Sequence, residues 1–203
     1  MRLRSRLSLP SRFGFGILFL ALALGTLVPA LLAQEEELPL NFDAVAVNMS
    51  NVGPRGQVRL QIRVNRWSTE EERNALREIV KTQSGRRGER QLADGLFSKE
   101  SVGTIRESRT LAYDLRYARE LPSEVGRMIV LATDRRIGFA EAMRASRTLD
   151  YNVTLIILNL DENGNGDGQV MLGAQLAWDD VNEQLIIEHF SSEPIRLTRV
   201  RMR

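Results

Sequence analysis

The chain has 203 residues, no cysteine and one histidine, which excludes disulfides, thiolate metal sites, thiol nucleophiles and paired-histidine metal sites. Its formal charge of +2 is unevenly placed: four of the 28 basic residues and none of the 26 acidic ones precede Ala33, so the remainder carries −2. That balance removes the simplest case for nucleic-acid binding, which rests on a basic face or a basic domain. Lys81 and Lys99 are the only lysines, an arginine bias that fits a GC-rich genome better than phosphate recognition.

The chain opens like an export signal. Arg2, Arg4, Arg6 and Arg12 precede the apolar stretch Phe13 to Leu32; Ala33 supplies a small residue for cleavage, and Gln34-Glu35-Glu36-Glu37 follows. Twenty apolar residues span about 30 Å as a helix and would also serve as an uncleaved anchor. Pro29 and the small residues Ala30 and Ala33 favour cleavage, because proline ends a helix ahead of an extended, accessible site. Ser11-Arg12-Phe13 lacks a twin-arginine pair, and without cysteine no lipoprotein anchor can form. The expected organisation is a signal peptide over 1–33, a flexible acidic leader over 34–41 and one β-rich domain over 42–203. The expected location is the periplasm or the exterior, with membrane attachment only if the first segment stays uncleaved.

Strand periodicity begins at Phe42, with Phe42, Ala44 and Ala46 on one side and Val45 and Val47 on the other. After a turn at 51–56, Val58, Leu60, Ile62 and Val64 alternate with Arg59, Gln61 and Arg63, as in a half-buried antiparallel strand. Ser68 and Glu71 fit a capping box, opening a helix whose apolar stripe is Ala75, Leu76, Ile79 and Val80 and which ends near Gly85. A second helix over Glu89 to Phe97 turns Leu92, Leu96 and Phe97 inward. Strands are predicted over Val102–Glu107, Thr110–Arg119, Met128–Ala132, Tyr151–Leu160, Gln169–Trp178, Gln184–Phe190 and Pro194–Met202. Residues 139–148 permit one short helix. Helices do not alternate with strands, so the fold class is α+β, mainly antiparallel β: a sandwich or barrel of about eight strands with an inserted helical pair.

Few residues carry a chemical signal. Asp161, Asn163 and Asn165 take the first, third and fifth places of a calcium loop, with Gly166 sixth and Asp167 adding an oxygen donor. The twelfth place is Leu172 instead of a bidentate glutamate, and the flanks read as strands. The competing reading is a hairpin connection that needs no metal; calcium is the one cofactor the sequence suggests. His189 beside Ser191 and Ser192 lacks a nucleophile elbow, and neighbours on a strand face opposite ways. Asp114, Asp134 and Glu141 are carboxylates in or next to apolar strands, where burial would raise a pKa, and the arginines 116, 135 and 136 stand ready to pair with them. Arg116, Arg119, Arg135 and Arg136 form either ion-pair ladders across a hairpin or a surface for an anionic ligand or partner. Trp67 and Trp178 line a cavity or simply pack.

The segments VNRWSTEEER, YDLRYAREL and IVLATDR, followed by the glycine-rich hairpin, resemble a group of uncharacterised exported bacterial proteins over most of the chain after the signal. The resemblance implies bacterial origin and export, and nothing about sites. The function expected from the residues is a non-catalytic domain that binds a small ligand or an envelope protein. The alternative is a carboxylate-dependent hydrolase of envelope polymers.

Overall fold

The structure, a computed structural model, describes residues 38–47, 57–83, 85–107, 111–123, 126–135, 137, 153–179, 181, 184–190 and 193–203. The elements in chain order are β1 (Leu40–Val47), β2 (Gln57–Val64), α1 (Glu70–Thr82), α2 (Gly85–Phe97), β3 (Gly103–Glu107), β4 (Tyr113–Leu115) and β5 (Tyr117–Ser123). There follow β6 (Gly126–Thr133), β7 (Thr154–Leu160), β8 (Asn165–Leu172), β9 (Ala174–Asp179), β10 (Gln184–Phe190) and β11 (Ile195–Met202). The expected signal over 1–33, the segment up to Glu37 and the helix considered at 139–148 lie outside the described residues.

Nine strands make one antiparallel sheet in the order β4-β3-β2-β1-β11-β8-β7-β6-β5, and β9 and β10 pair separately. The two edge strands of the large sheet are consecutive in the chain. Residues 113–115 pair with β3, and residues 117–123 pair with β6. Between them the Arg116 N–H donates to the Ala132 carbonyl at 2.8 Å. One kinked segment therefore closes the sheet into a nearly complete barrel of eight strand positions. This is the mainly antiparallel α+β fold, with its helical pair, that the periodicity predicts.

Alternate residues of every barrel strand point inward. Phe42, Leu60, Ile62, Ile105, Leu131, Ile156, Leu158 and Leu197 are no more than 1 % exposed. Burial of each such side chain contributes about 1.5–3 kcal/mol against the entropy of ordering it. β11 keeps this phase by a bulge. Strict alternation along Ile195-Arg196-Leu197-Thr198-Arg199-Val200-Arg201 would turn Arg199 and Arg201 inward with Ile195 and Leu197. The register instead shifts between Leu197 and Val200, so both are buried and the arginines face out. The extra residue, Arg199, takes φ +53°, a left-handed conformation that L side chains adopt at a cost.

A second apolar cluster lies outside the barrel. Leu76 and Val80 of α1 and Leu92, Ala93 and Leu96 of α2 pack with Ala132, Leu155 and Met171, which are outward residues of β6, β7 and β8. Leu176 and Trp178 of β9 join them, and Lys81 sits over the Trp178 ring at 4.4 Å. Trp67 instead packs against the barrel core.

Three local expectations are corrected. The α1 cap is Thr69, not Ser68: the Glu72 N–H donates to Thr69 Oγ1, and the Glu72 carboxylate accepts the Thr69 N–H, completing a capping box one residue later. Ser68 is committed elsewhere, donating its N–H to the Ala118 carbonyl at 2.9 Å and accepting the Ala118 N–H on Oγ at 3.1 Å. Phe97 faces out at 62 % exposure, since it falls off the Leu92/Leu96 stripe at the helix end. The run Gln169–Trp178 is two strands, because Gly173 at φ +60° turns the chain out of the barrel and into the β9–β10 hairpin.

Candidate functional site

The outer apolar layer leaves a groove. Its floor is the outward face of β5, β6 and β7, including Tyr117, Met128, Val130, Leu155 and Ile157. One wall is α1, with Arg73, Leu76, Arg77 and Val80; the other is β10, with Leu185, Ile186 and Ile187. The groove is open to one side, with a volume of about 280 Å³. Leu185, Ile186 and Ile187 remain 48, 39 and 38 % exposed, so the β10 wall offers apolar surface that the chain itself does not fully cover.

The polar groups are gathered on one side. Arg73 and Arg77 are one helical turn apart on the α1 stripe that also carries Leu76 and Val80, so the helix brings both guanidiniums to the groove. Arg73 binds Glu70 through Nη2, but its Nε and the Nε of Arg77 are buried without a hydrogen-bond partner among the described residues. A buried N–H left unpaired is costly and marks a place for an acceptor. Tyr117 lies beside them. Burial pushes its phenol above the ordinary value, with Arg119 and Arg73 pulling the other way, so at neutral pH it is a neutral hydrogen-bonding group.

Of the four arginines singled out from sequence, three lie among the described residues, Arg119 apart from the carboxylate cluster that holds Arg116 and Arg135. Arg119 stands near this rim, hydrogen-bonded to Tyr117 and 3.9 Å from Glu70 Oε1. Arg116 lies at the closure kink and is held by Asp114 Oδ2 at 3.1 Å, Asp134 Oδ1 at 3.6 Å and the Lys99 carbonyl at 2.9 Å, with its guanidinium 5.8 Å from the Phe97 ring. Asp134 is buried and also meets Arg135 Nη2 at 3.4 Å. Arg116 and Arg135 thus converge on one carboxylate as an ion-pair cluster, and two of the three candidate carboxylates, Asp114 and Asp134, sit in it. Arg136 and Glu141 lie outside the described residues.

The glycine-rich segment is a hairpin between β7 and β8. Asp161 Oδ1 accepts the Asn163 and Asn165 N–H groups at 2.8 and 2.9 Å, and Gly164 at φ +73° completes the turn. Asn165 and Asp167 belong to β8, where Asp167 lies opposite Asn159. Of the four proposed oxygen donors, Asp161 and Asn163 are in the turn and the other two extend along the strand. Among the described residues no three acidic or histidine side chains are placed to hold a metal ion. His189 is in β10, its backbone opposite Gln175 after a register shift.

Sequence reasoning missed Arg73, Arg77 and the β10 wall. The signals were present: two arginines four apart on an apolar helical stripe, and the three consecutive apolar residues Leu185, Ile186 and Ile187.

No family model, curated protein or solved structure matches this chain.

Proposed function

We propose that the protein is an exported, non-catalytic binding domain whose groove takes a small amphiphile with one anionic head. The observation that carries the reading is the pair of buried, unpartnered Nε groups of Arg73 and Arg77 in an otherwise apolar groove. Guanidinium groups bind carboxylate or phosphate through parallel hydrogen bonds, and a low-dielectric wall strengthens them. The apolar body of the ligand would lie along the floor and against Leu185, Ile186 and Ile187. A volume of about 280 Å³ is near the lower end of small-molecule pockets. Export rests on the charged and apolar organisation of residues 1–33.

Calorimetric titration with decanoate and with decanol tests the ligand class. Decanoate is expected to bind more tightly, and Arg77→Met to remove about tenfold or more of that advantage while leaving decanol binding in place. Equal binding of the two, or an Arg77→Met variant that keeps the full preference, would reject the anionic-head reading. Intact mass of exported protein beginning near Gln34 supports export with cleavage; retention of residues 1–33 would make the segment an anchor.

A further inference from the structure

The opposite side of the barrel has a different character. In the order β4/β5, β3, β2, β1, β11, β8, β7, β6, strand β1 lies diametrically across from β6, which floors the apolar groove. Here the outward residues are exposed and predominantly basic. Two shallow depressions, each about 390 Å³, share Asp43, Gln61 and Arg203 and run into one trough with β1 as its floor.

Register lines up the walls. One row crosses four strands as Arg106, Gln61, Asp43 and Arg201. A second places Arg63 beside Asn41, whose carbonyl accepts the Arg203 N–H at 2.9 Å. A third places Arg59 beside Val45 and Thr198, next to the bulged Arg199. Arginines of β2 and β11 therefore face each other across a single intervening strand, roughly 10 Å apart at the backbone. All six guanidinium-bearing residues are exposed. Asp43 is the one carboxylate among the lining residues, and it binds Arg203. Arg63 and Arg106 are steadied by neutral amides, from Asn65 at 2.9 Å and Gln61 at 2.8 Å, which orient the groups without cancelling their charge.

We infer that this trough is a docking site for a linear acidic polysaccharide. Exposed arginines on two parallel walls, with Asp43 as the lining carboxylate, complement a chain with negative charge at regular intervals, and bidentate contacts suit carboxylate or sulfate groups. The lining contains none of the exposed large hydrophobics and no exposed aromatic ring. It thus lacks both the wedge that inserts into a bilayer and the stacking platform that holds nucleobases. The convex barrel would touch a flat membrane along its crest, whereas a single polymer chain can follow the trough. The inference does not depend on the amphiphile groove, which lies on the far side.

The test is titration of the protein with alginate, a linear polyuronate, at low salt and at about 0.5 M salt, where screening shortens the reach of exposed charges. The double variant Arg63→Gln, Arg201→Gln removes one arginine from each wall, and Arg87→Gln, Arg90→Gln removes the same charge from the exposed surface of α2. Both doubles should keep the parent thermal midpoint, since all four side chains are exposed. The trough double is expected to weaken low-salt alginate binding by about tenfold or more, with the α2 double close to the parent. No alginate binding at low salt, or equal losses in the two doubles, would overturn the inference. Tighter binding to single-stranded DNA of matched charge, or to anionic vesicles, would reassign the trough and overturn it as well.

Discussion

The two sides of the barrel wall differ although their strands share the same inner face. β6 and β7 carry apolar residues at outward as well as inward positions, and α1, α2 and the β9–β10 hairpin cover them. β2 and β11 carry arginines outward and stay bare. A barrel closes on its interior alone; what its outer face gathers is decided by the second residue of each alternating pair. The covered side is bound by packing, and the bare side can change its polar groups without touching the core.

The largest effect that would separate the two sides is Leu96→Ala, which empties a site 2 % exposed beneath α2. Its unfolding free energy in urea is expected to fall by about 2–5 kcal/mol, against a change within about 0.5 kcal/mol for Arg201→Ala on the bare side. Similar losses in both variants would show that the cover is not a packed layer.

Much of this division was legible beforehand. The alternation Val58–Val64 fixed which side of β2 is polar, and the run Met128–Ala132 marked a strand apolar on both sides. The closure was not, because residues 113–123 change partner at Arg116 without changing their strand-like pattern. Nor was the swing of the chain at Gly173, since a lone glycine inside a β-pattern equally suits a bulge. The groove needs both the swung-out hairpin and α1, so it existed in no local window. The trough needs β1 to pair with β11, a long-range contact between residues in the forties and the end of the chain. A net charge of −2 beyond Ala33 concealed it, because charges dispersed in sequence are sorted by face only when the sheet forms.

A smaller effect concerns how the cover is attached. Thr69→Ala should lower stability by about 1 kcal/mol through loss of the α1 cap. Ser68→Ala removes the Oγ acceptor from the Ala118 N–H, a loss in the barrel closure and not in the helix. Hydrogen exchange distinguishes the two: the first turn of α1 should open more in Thr69→Ala, and the Ala118 amide should exchange faster in Ser68→Ala. The reverse pattern would restore Ser68 as the cap.

On the bare side, Arg199→Gly is expected to raise stability, by up to about 1 kcal/mol. Relief of the left-handed conformation outweighs the extra freedom glycine brings to the unfolded chain. If the urea midpoint instead falls, Arg199 contributes through its side chain to the folded barrel, and the bare side is less independent of the core than the comparison holds.

The smallest effect lies where the chain passes from the bare side to the cover, between β2 and α1. Arg66 grips Glu72 through two hydrogen bonds of 2.9 Å, and the same carboxylate caps the Thr69 N–H. The Arg66 hydrogen bond holds the Glu72 carboxyl below its ordinary value, against the opposing effect of burial. A folded-state pKa below the unfolded one means that the pair stabilises fully above the ordinary glutamate value of about 4.3. That contribution is lost as pH falls through the lowered folded value. Arg66 stays protonated throughout, so the acid-side loss belongs to Glu72. Glu72→Gln keeps the shape and some of the capping but cannot titrate. Its urea midpoint should therefore fall less than the parent's between pH 6 and pH 3, a window of about three units spanning the glutamate range. Parallel falls in the two proteins would mean that the clamp adds nothing to the attachment of α1, leaving the cover held by its apolar contacts alone.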